Sequence, residues 1–214
     1  MEFYDVINKR RTIRDFTDEP VDVEAIKRII SAGLKAPTND HMRNWEFVVL
    51  TDKAIITQAI SKIPKKVSGK RVDFILKTWR LTDECQQKMY IDAIPKQYEM
   101  LLQSSCLVLP FFKQKANLME PKNLSSLNAF ASIWCCIENI LLAAAAEGLA
   151  GAIRIPSGDE PIHIAEVLKI PKEYVLPCYV AIGHPSDHAV VNAQKDCNVE
   201  SKIHFNAWGK GIAE

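Results

Sequence analysis

The segment from Ser125 to Glu147 constrains this chain more than any other. It is long enough for about six helical turns, and apolar side chains recur around most of its circumference: Leu127, Phe130, Ile133, Trp134, Ile137, Ile140, Leu141 and Leu142. A helix with one apolar stripe lies on a core, whereas one apolar almost all round must be covered on more than one side. A sheet, other helices or a second subunit can provide that cover. Gly148 stands where a helix ends in a left-handed residue. The longest unbroken apolar run, Ile140 to Ala146, falls well short of the about 20 residues of a bilayer crossing, so no transmembrane helix is expected.

The remaining elements follow from periodicity and punctuation. Residues 2–8 read as a short helix, with Phe3, Val6 and Ile7 on one face. Asp22 to Lys35 is a stronger one: Asp22 can cap it, and Val23, Ile26, Ile29, Ile30 and Leu34 share a face before Pro37 stops it. Helix is also expected over 52–63, over 83–103 with a break at Pro95, and over 161–168. Strands are expected at 45–50, 106–112, 149–155 and 177–182. Pro110, inside the second of these, implies an edge strand or an early end. Lys62 to Arg80 is a basic stretch without a clear pattern, read as solvated surface. The polar tail 186–214, with Phe205 and Trp208 near its end, is too polar to fold alone and is expected to pack on another surface.

No linker or repeat divides the 214 residues, so residues 1–214 are read as one domain. Helices separate most strands without strict alternation, which gives an α/β or α+β fold layered on one sheet. With 27 Lys+Arg against 26 Asp+Glu the net charge is +1. A nucleic-acid protein would need a phosphate-neutralising excess, so no nucleic-acid partner is expected. The N-terminus MEFYDVINKRR lacks the apolar run of a signal peptide, and a cytoplasmic location is expected. The six cysteines form no C-x-x-C pair, and most of them read as buried free thiols.

The common catalytic signatures G-x-G-x-x-G, G-x-x-x-x-G-K-[ST], H-E-x-x-H and G-x-S-x-G do not occur. His184 and His188 are interrupted by Pro185 and read as loop, and no metal site is expected. What stands out is Arg10-Arg11-Thr12-Ile13-Arg14. On composition alone it is either a solvated basic turn or an anion clamp, since guanidinium groups suit bidentate phosphate contacts and a hydroxyl adds a donor. In an extended stretch Arg10, Thr12 and Arg14 point to one side.

Arg10-Arg11-Thr12-Ile13-Arg14-Asp15-Phe16 resembles the R-R-S-x-R-x-F opening of the FMN-dependent nitroreductase family. Ala36-Pro37-Thr38-Asn39 followed by Trp45-Glu46-Phe47-Val48-Val49 is similar to that family's A-P-S-x…P-W-x-F-x-V segment. Ala143 to Leu149 resembles its L-A-A-x-x-x-G-L helix end, and Val180-Ala181-Ile182-Gly183-His184-Pro185 its last core strand and turn. Four weak motifs in order, covering about residues 1–210, favour the anion clamp.

The resemblance implies an α+β fold with a central, mostly antiparallel sheet flanked by helices. It implies an obligate homodimer with two FMN sites at the subunit interface, the apolar helix in the dimer core and the tail 186–214 on the other protomer. Arg10, Thr12 and Arg14 match positions on the flavin phosphate, ribityl chain and pyrimidine edge, and Arg11 a phosphate contact. Thr38, Asn39 and His41 match the loop that reaches the flavin of the other subunit. Ile153, Arg154 and Ile155 match the strand end beside the ring, and Lys195 the C-terminal basic residue on the phosphate. The implied activity is a ping-pong transfer of hydride from NADH or NADPH through FMN to a nitroaromatic, quinone or similar small-molecule acceptor, with no side chain required as acid or base. The alternative is a flavin-binding or regulatory protein of the same fold with little turnover.

Two departures bear on that picture. The family's N-x-Q-P-W is His41-Met42-Arg43-Asn44-Trp45 here, and its W-[IM]-G-G is Ile153-Arg154-Ile155-Pro156. Pro156 removes a backbone donor and stiffens the turn. Arg154 is expected to set a positive charge beside the flavin and raise its potential. Glu138 and Asn139, polar on the apolar helix, need a partner, at a dimer axis or near the ligand, or exposure to water. The lysines of 62–80, if they roof the site, would attract an anionic substrate or the NADPH phosphate.

Overall fold

In the computed structural model, which describes residues 2–115 and 117–211, the apolar strands form one antiparallel sheet between two helical layers. The chain runs α1 (Phe3–Lys9), α2 (Val23–Gly33), a 3-10 turn (Asn39–His41), β1 (Trp45–Leu50), α3 (Lys53–Ala59), α4 (Gly69–Thr78), α5 (Glu84–Ala93), α6 (Gln97–Gln103) and β2 (Cys106–Lys113). It continues through α7 (Asn128–Ala146), β3 (Ala150–Arg154), α8 (Glu160–Leu168), β4 (Tyr174–Val175) and β5 (Tyr179–Gly183). The strand order is β1-β2-β5-β3, with β4 paired to β2 beyond the end of β5. This is the expected α+β fold with a central antiparallel sheet.

Alternation along the strands builds two cores. Leu107, Leu109, Phe111, Tyr179 and Ala181 face α3, α6 and α8, and Cys106, Val108, Phe112, Val180 and Ile182 face α2 and α7. Buried on both faces, β2 and β5 therefore read as continuous apolar runs.

Helix starts follow local chemistry: the Asp22, Asp52, Ser68 and Asp83 side chains each accept an N–H of the turn they cap. α2 ends on Gly33, where a Cβ would lie 2.7 Å from Cγ1 of Ile140, so the glycine lets α2 and α7 approach.

α7 buries Ile133, Cys136, Ile137, Ile140 and Ala144 against α2 and the sheet. Its outer stripe, Ala131, Cys135 and Glu138, remains exposed. By length and overall hydropathy Leu124–Ala146 would suffice to cross a bilayer, although no unbroken run in it does. Within the chain its inner face packs on α2 and the sheet, and most of the rest is only partly covered.

Several expectations are corrected. β2 is central rather than an edge strand. It tolerates Pro110 because pairing on the β5/β4 side is interrupted between Val108 and Phe112, while Pro110 itself is opposite Phe47 on β1. The two-residue β4 was too short to show in a pattern. α3 stops at Ala59 instead of continuing to Ile63, and the basic stretch contains α4. Phe3 and Ile7 stay exposed, and only Val6 of the α1 face is buried.

The tail does not leave its own chain at once. The Val190 N–H donates to Asp15, the Asn192 amide donates to Asp92 and the Cys85 thiol donates to the Ala193 carbonyl, all within the chain. Beyond residue 195 the tail is largely exposed, Trp208 at 91%. Residues 212–214 of the expected partner-binding tail lie outside the described residues.

Candidate functional site

The arginine segment lies along the free edge of the sheet. Thr12 pairs with Gly151 of β3 in parallel, and the Ile13 N–H donates to the Gly151 carbonyl at 3.3 Å. Phe16 then pairs with Pro185 beyond β5, and the Thr17 N–H donates to the His184 carbonyl at 2.9 Å. This stitching holds Arg14 two residues past Thr12, as Ile153 is two past Gly151 on the neighbouring strand. Arg10, Arg11 and Gly151 border a cavity of about 270 Å3.

The three arginines differ in commitment. Arg10 Nε lies 3.6 Å from Glu138 on α7, which gives that helix's exposed carboxylate a partner. Arg11 folds back, donating to the carbonyls of Asn8 at 2.6 Å and Arg10 at 2.8 Å. Arg14 is buried against α5, 3.7 Å from Asp92. Burial pulls its guanidinium below the ordinary value, against the opposing pull of Asp92 and Asp15. Its Nε is buried with no partner among the described residues. Arg10 and Arg14 thus engage different helices, contrary to a single one-sided clamp. Two separated cationic heads suit an elongated ligand better than a lone phosphate.

Sequence reading missed the cluster behind Arg14. Lys96 lies 2.6 Å from both Asp15 and Asp92. Burial disfavours the Lys96 ammonium, but its two carboxylate hydrogen bonds outweigh that and hold its pKa above the ordinary value. Only the Asp92–Lys96 spacing of four was a readable signal.

At the end of β3, Arg154 turns its guanidinium into the protein. It meets both Glu160 oxygens, with Nη2 2.7 Å from Oε1 and Nη1 on Oε2. Glu160 also accepts from Ser157 at 3.0 Å and from the buried Tyr179 hydroxyl at 3.2 Å. The Tyr179 hydroxyl is pushed above its usual pKa by burial and by the Glu160 charge. The Arg154 charge is thus matched by Glu160 within the chain. Ile153 and Ile155 flank it, Ile155 being exposed.

Thr38, Asn39 and His41 sit elsewhere in the single chain. The Asn39 N–H donates to Ser132 Oγ at 3.1 Å, and the Asn128 amide donates to Asn39 Oδ1 at 3.3 Å, which ties this loop to the first turns of α7. Asp40, His41 and Arg43 all hold left-handed φ values of 50, 54 and 43°, a costly conformation without glycine that tends to mark functional loops. The loop borders cavities that contain none of Arg10–Arg14. Lys195 is also apart from the arginines, its ammonium 2.5 Å from Asp83 at the start of α5. Asn139 donates to the Ala32 carbonyl at 3.3 Å, within the α2–α7 seam. Among the described residues no cluster of metal-ligating side chains occurs.

A model of the Nitroreductase family matches residues 7–184. The chain belongs to the nitroreductase family. Among its relatives, an iodotyrosine deiodinase of Nematostella vectensis is 26% identical over 196 residues, covering 89% of this chain and 69% of the relative. An iodotyrosine deiodinase crystallised with FMN and 3-iodo-L-tyrosine shares the fold at a TM-score of 0.69 and 20% identity, over 97% of this chain and 100% of the other. An FMN-dependent nitroreductase from Clostridium difficile R20291 matches at 0.64 and 21%, over 95% and 98%. In this nitroreductase-family chain residues 153–156 read Ile-Arg-Ile-Pro, and the Arg154–Glu160 pair lies at that end of β3.

Proposed function

We propose that the protein is an FMN-dependent oxidoreductase that passes reducing equivalents from NADH or NADPH to a nitroaromatic, quinone or similar acceptor. The observation that carries the reading is the arginine segment fixed along β3 by the Thr12–Gly151 bridge, with a buried Arg14 Nε that lacks an acceptor. A buried unpaired donor is costly, and a cofactor with oxygen and nitrogen acceptors at one end and a phosphate at the other fits both it and Arg10. Bound FMN would supply the two-electron hydride chemistry.

In this reading Arg10 and Arg11 hold the phosphate, Thr12 the ribityl chain and Arg14 the pyrimidine edge. Residues 153–155 lie along the ring, where Pro156 offers no N–H. Thr38, Asn39 and His41 act on the partner subunit's cofactor, which agrees with their separation from the arginines within one chain. The homodimer is part of the proposal: the exposed stripe of α7, Ala131 and Cys135 beside Glu138, gives it a contact surface, and the tail beyond residue 195 a segment to lay across its partner. The six free thiols suit a reducing, cytoplasmic setting. A second reading keeps the cofactor and changes the acceptor to a halogenated phenol, because the deiodinase relative spans most of the chain.

The test is the visible spectrum of the purified protein, followed anaerobically with NADPH and then NADH. Flavin bands that bleach support the reading and give the nucleotide preference. Bands that persist favour a flavin-binding or regulatory role, and a colourless protein that cannot be reconstituted with FMN rejects both. Iodide release from 3-iodotyrosine, compared with consumption of a nitroaromatic, separates the two acceptors.

A further inference from the structure

The basic stretch 62–80 carries Lys62, Lys65, Lys66, Lys70, Arg71, Lys77 and Arg80 against one acid, Asp73. Among the described residues, no ion pair involves any of them. A chain with net charge +1 has concentrated its excess cations in one place. Two of them, Lys66 and Arg71, line a cavity of about 540 Å3.

The cavity lies between the start of α4 and the end of β3. Its apolar wall includes Ile63, Val67, Ile75 and Ile94, wide enough for an aromatic ring. Lys66 and Arg71 line it beside the start of α4, and Arg154 and Ser157 at the end of β3. Arg154 is neutralised by Glu160, so the net positive charge of the lining belongs to Lys66 and Arg71. Ser68, the N-cap of α4, also lines the cavity. An apolar slot lined by two cations that form no ion pair, Arg71 lying over the Phe74 ring, recognises a flat apolar body bearing an anionic group.

Resting on the functional reading above, we infer that Lys66 and Arg71 select acceptors that carry a carboxylate or similar anion on an aromatic ring. Each exposed charge contact contributes a factor of about two to five, so the pair gives about tenfold. The same positions could instead serve the extra phosphate of NADPH, and the test separates that source.

The experiment is calorimetric titration of the purified protein with 4-nitrobenzoate and with its neutral analogue 4-nitrobenzamide. The wild type is compared with Lys66→Gln/Arg71→Gln and with Lys66→Glu/Arg71→Glu. The wild type is expected to bind the carboxylate about tenfold more tightly, a preference that shrinks in high salt. The ratio should fall to about one in the glutamine variant and invert in the glutamate variant. Comparing ratios cancels any intrinsic difference between the two compounds. Equal binding in the wild type, or a ratio the glutamine variant does not move, overturns the proposal. So does a variant in which only the NADPH-to-NADH preference collapses. Because binding requires no turnover, a protein that selects the carboxylate but is not reduced by either nucleotide would keep this proposal and reject the functional reading.

Discussion

Arg154 and Glu160 form the residue-scale feature with the sharpest consequence. Their side chains are 10% and 5% exposed, and removing one member of a buried pair strands the other charge, at a cost of about 3–5 kcal/mol. Glu160→Ala is therefore expected to lower stability by that amount in urea denaturation, and Glu160→Gln, which keeps the hydrogen-bond geometry, by less. Arg14→Met removes the buried donor proposed to meet the cofactor. A hydrogen bond involving a charged group contributes about 1.5–3 kcal/mol, so FMN affinity, measured by fluorescence titration of the apoprotein, should fall about tenfold to a hundredfold. Arg10, Arg11 and Arg14 were visible in the sequence because they stand within five residues. Glu160 was not, because the turn that folds it back on Arg154 six residues earlier follows neither helical nor strand spacing, and Asp92 was not, because it meets Arg14 only through packing between distant segments.

Glycines separate two kinds of element contact. Gly33→Ala would ordinarily gain helix propensity, but its Cβ would lie 2.7 Å from Ile140 and 3.0 Å from Cys136. Overpacking of that kind costs about 1–3 kcal/mol, so the melting temperature should fall. Gly69→Ala, at the first position of α4 with nothing within 4 Å, should instead raise stability by about 0.4–1 kcal/mol. At this scale most of the fold was legible, since β1, α2, α7 and the doubly buried strands each carry a periodicity or an apolar run. α4 was not, because charged residues interrupt its apolar ones and only Val72 is buried. β4 failed for length. Pro110 misled because a proline in a sheet marks a missing donor, and an interrupted register accommodates that as well as an edge does.

For the molecule as a whole, the exposed stripe of α7 and the proposed homodimer can be checked together. Sedimentation should give twice the 24.1 kDa chain mass. Cys135, exposed on that stripe in the single chain, should resist alkylation in the native protein while Cys197 reacts. A monomer with a reactive Cys135 would remove the dimer. Burial pushes Cys106, Cys136 and Cys178 up to about 12. Their folded values exceed their unfolded ones, so their contribution is intact below about pH 8.5 and lost progressively as pH rises through about 12. Melting temperature should accordingly decline above pH 9, and less steeply in Cys178→Ala. The Thr12–Gly151 bridge also imposes an order of events at the ribosome. The arginines emerge first, but the strand they dock on follows about 140 residues later, on the order of ten seconds of synthesis. Until β3 and β5 have left the exit tunnel the sheet edge does not exist, so a nascent chain has no place to load a cofactor, and messages truncated before residue 150 yield only empty, sheet-poor fragments for disposal.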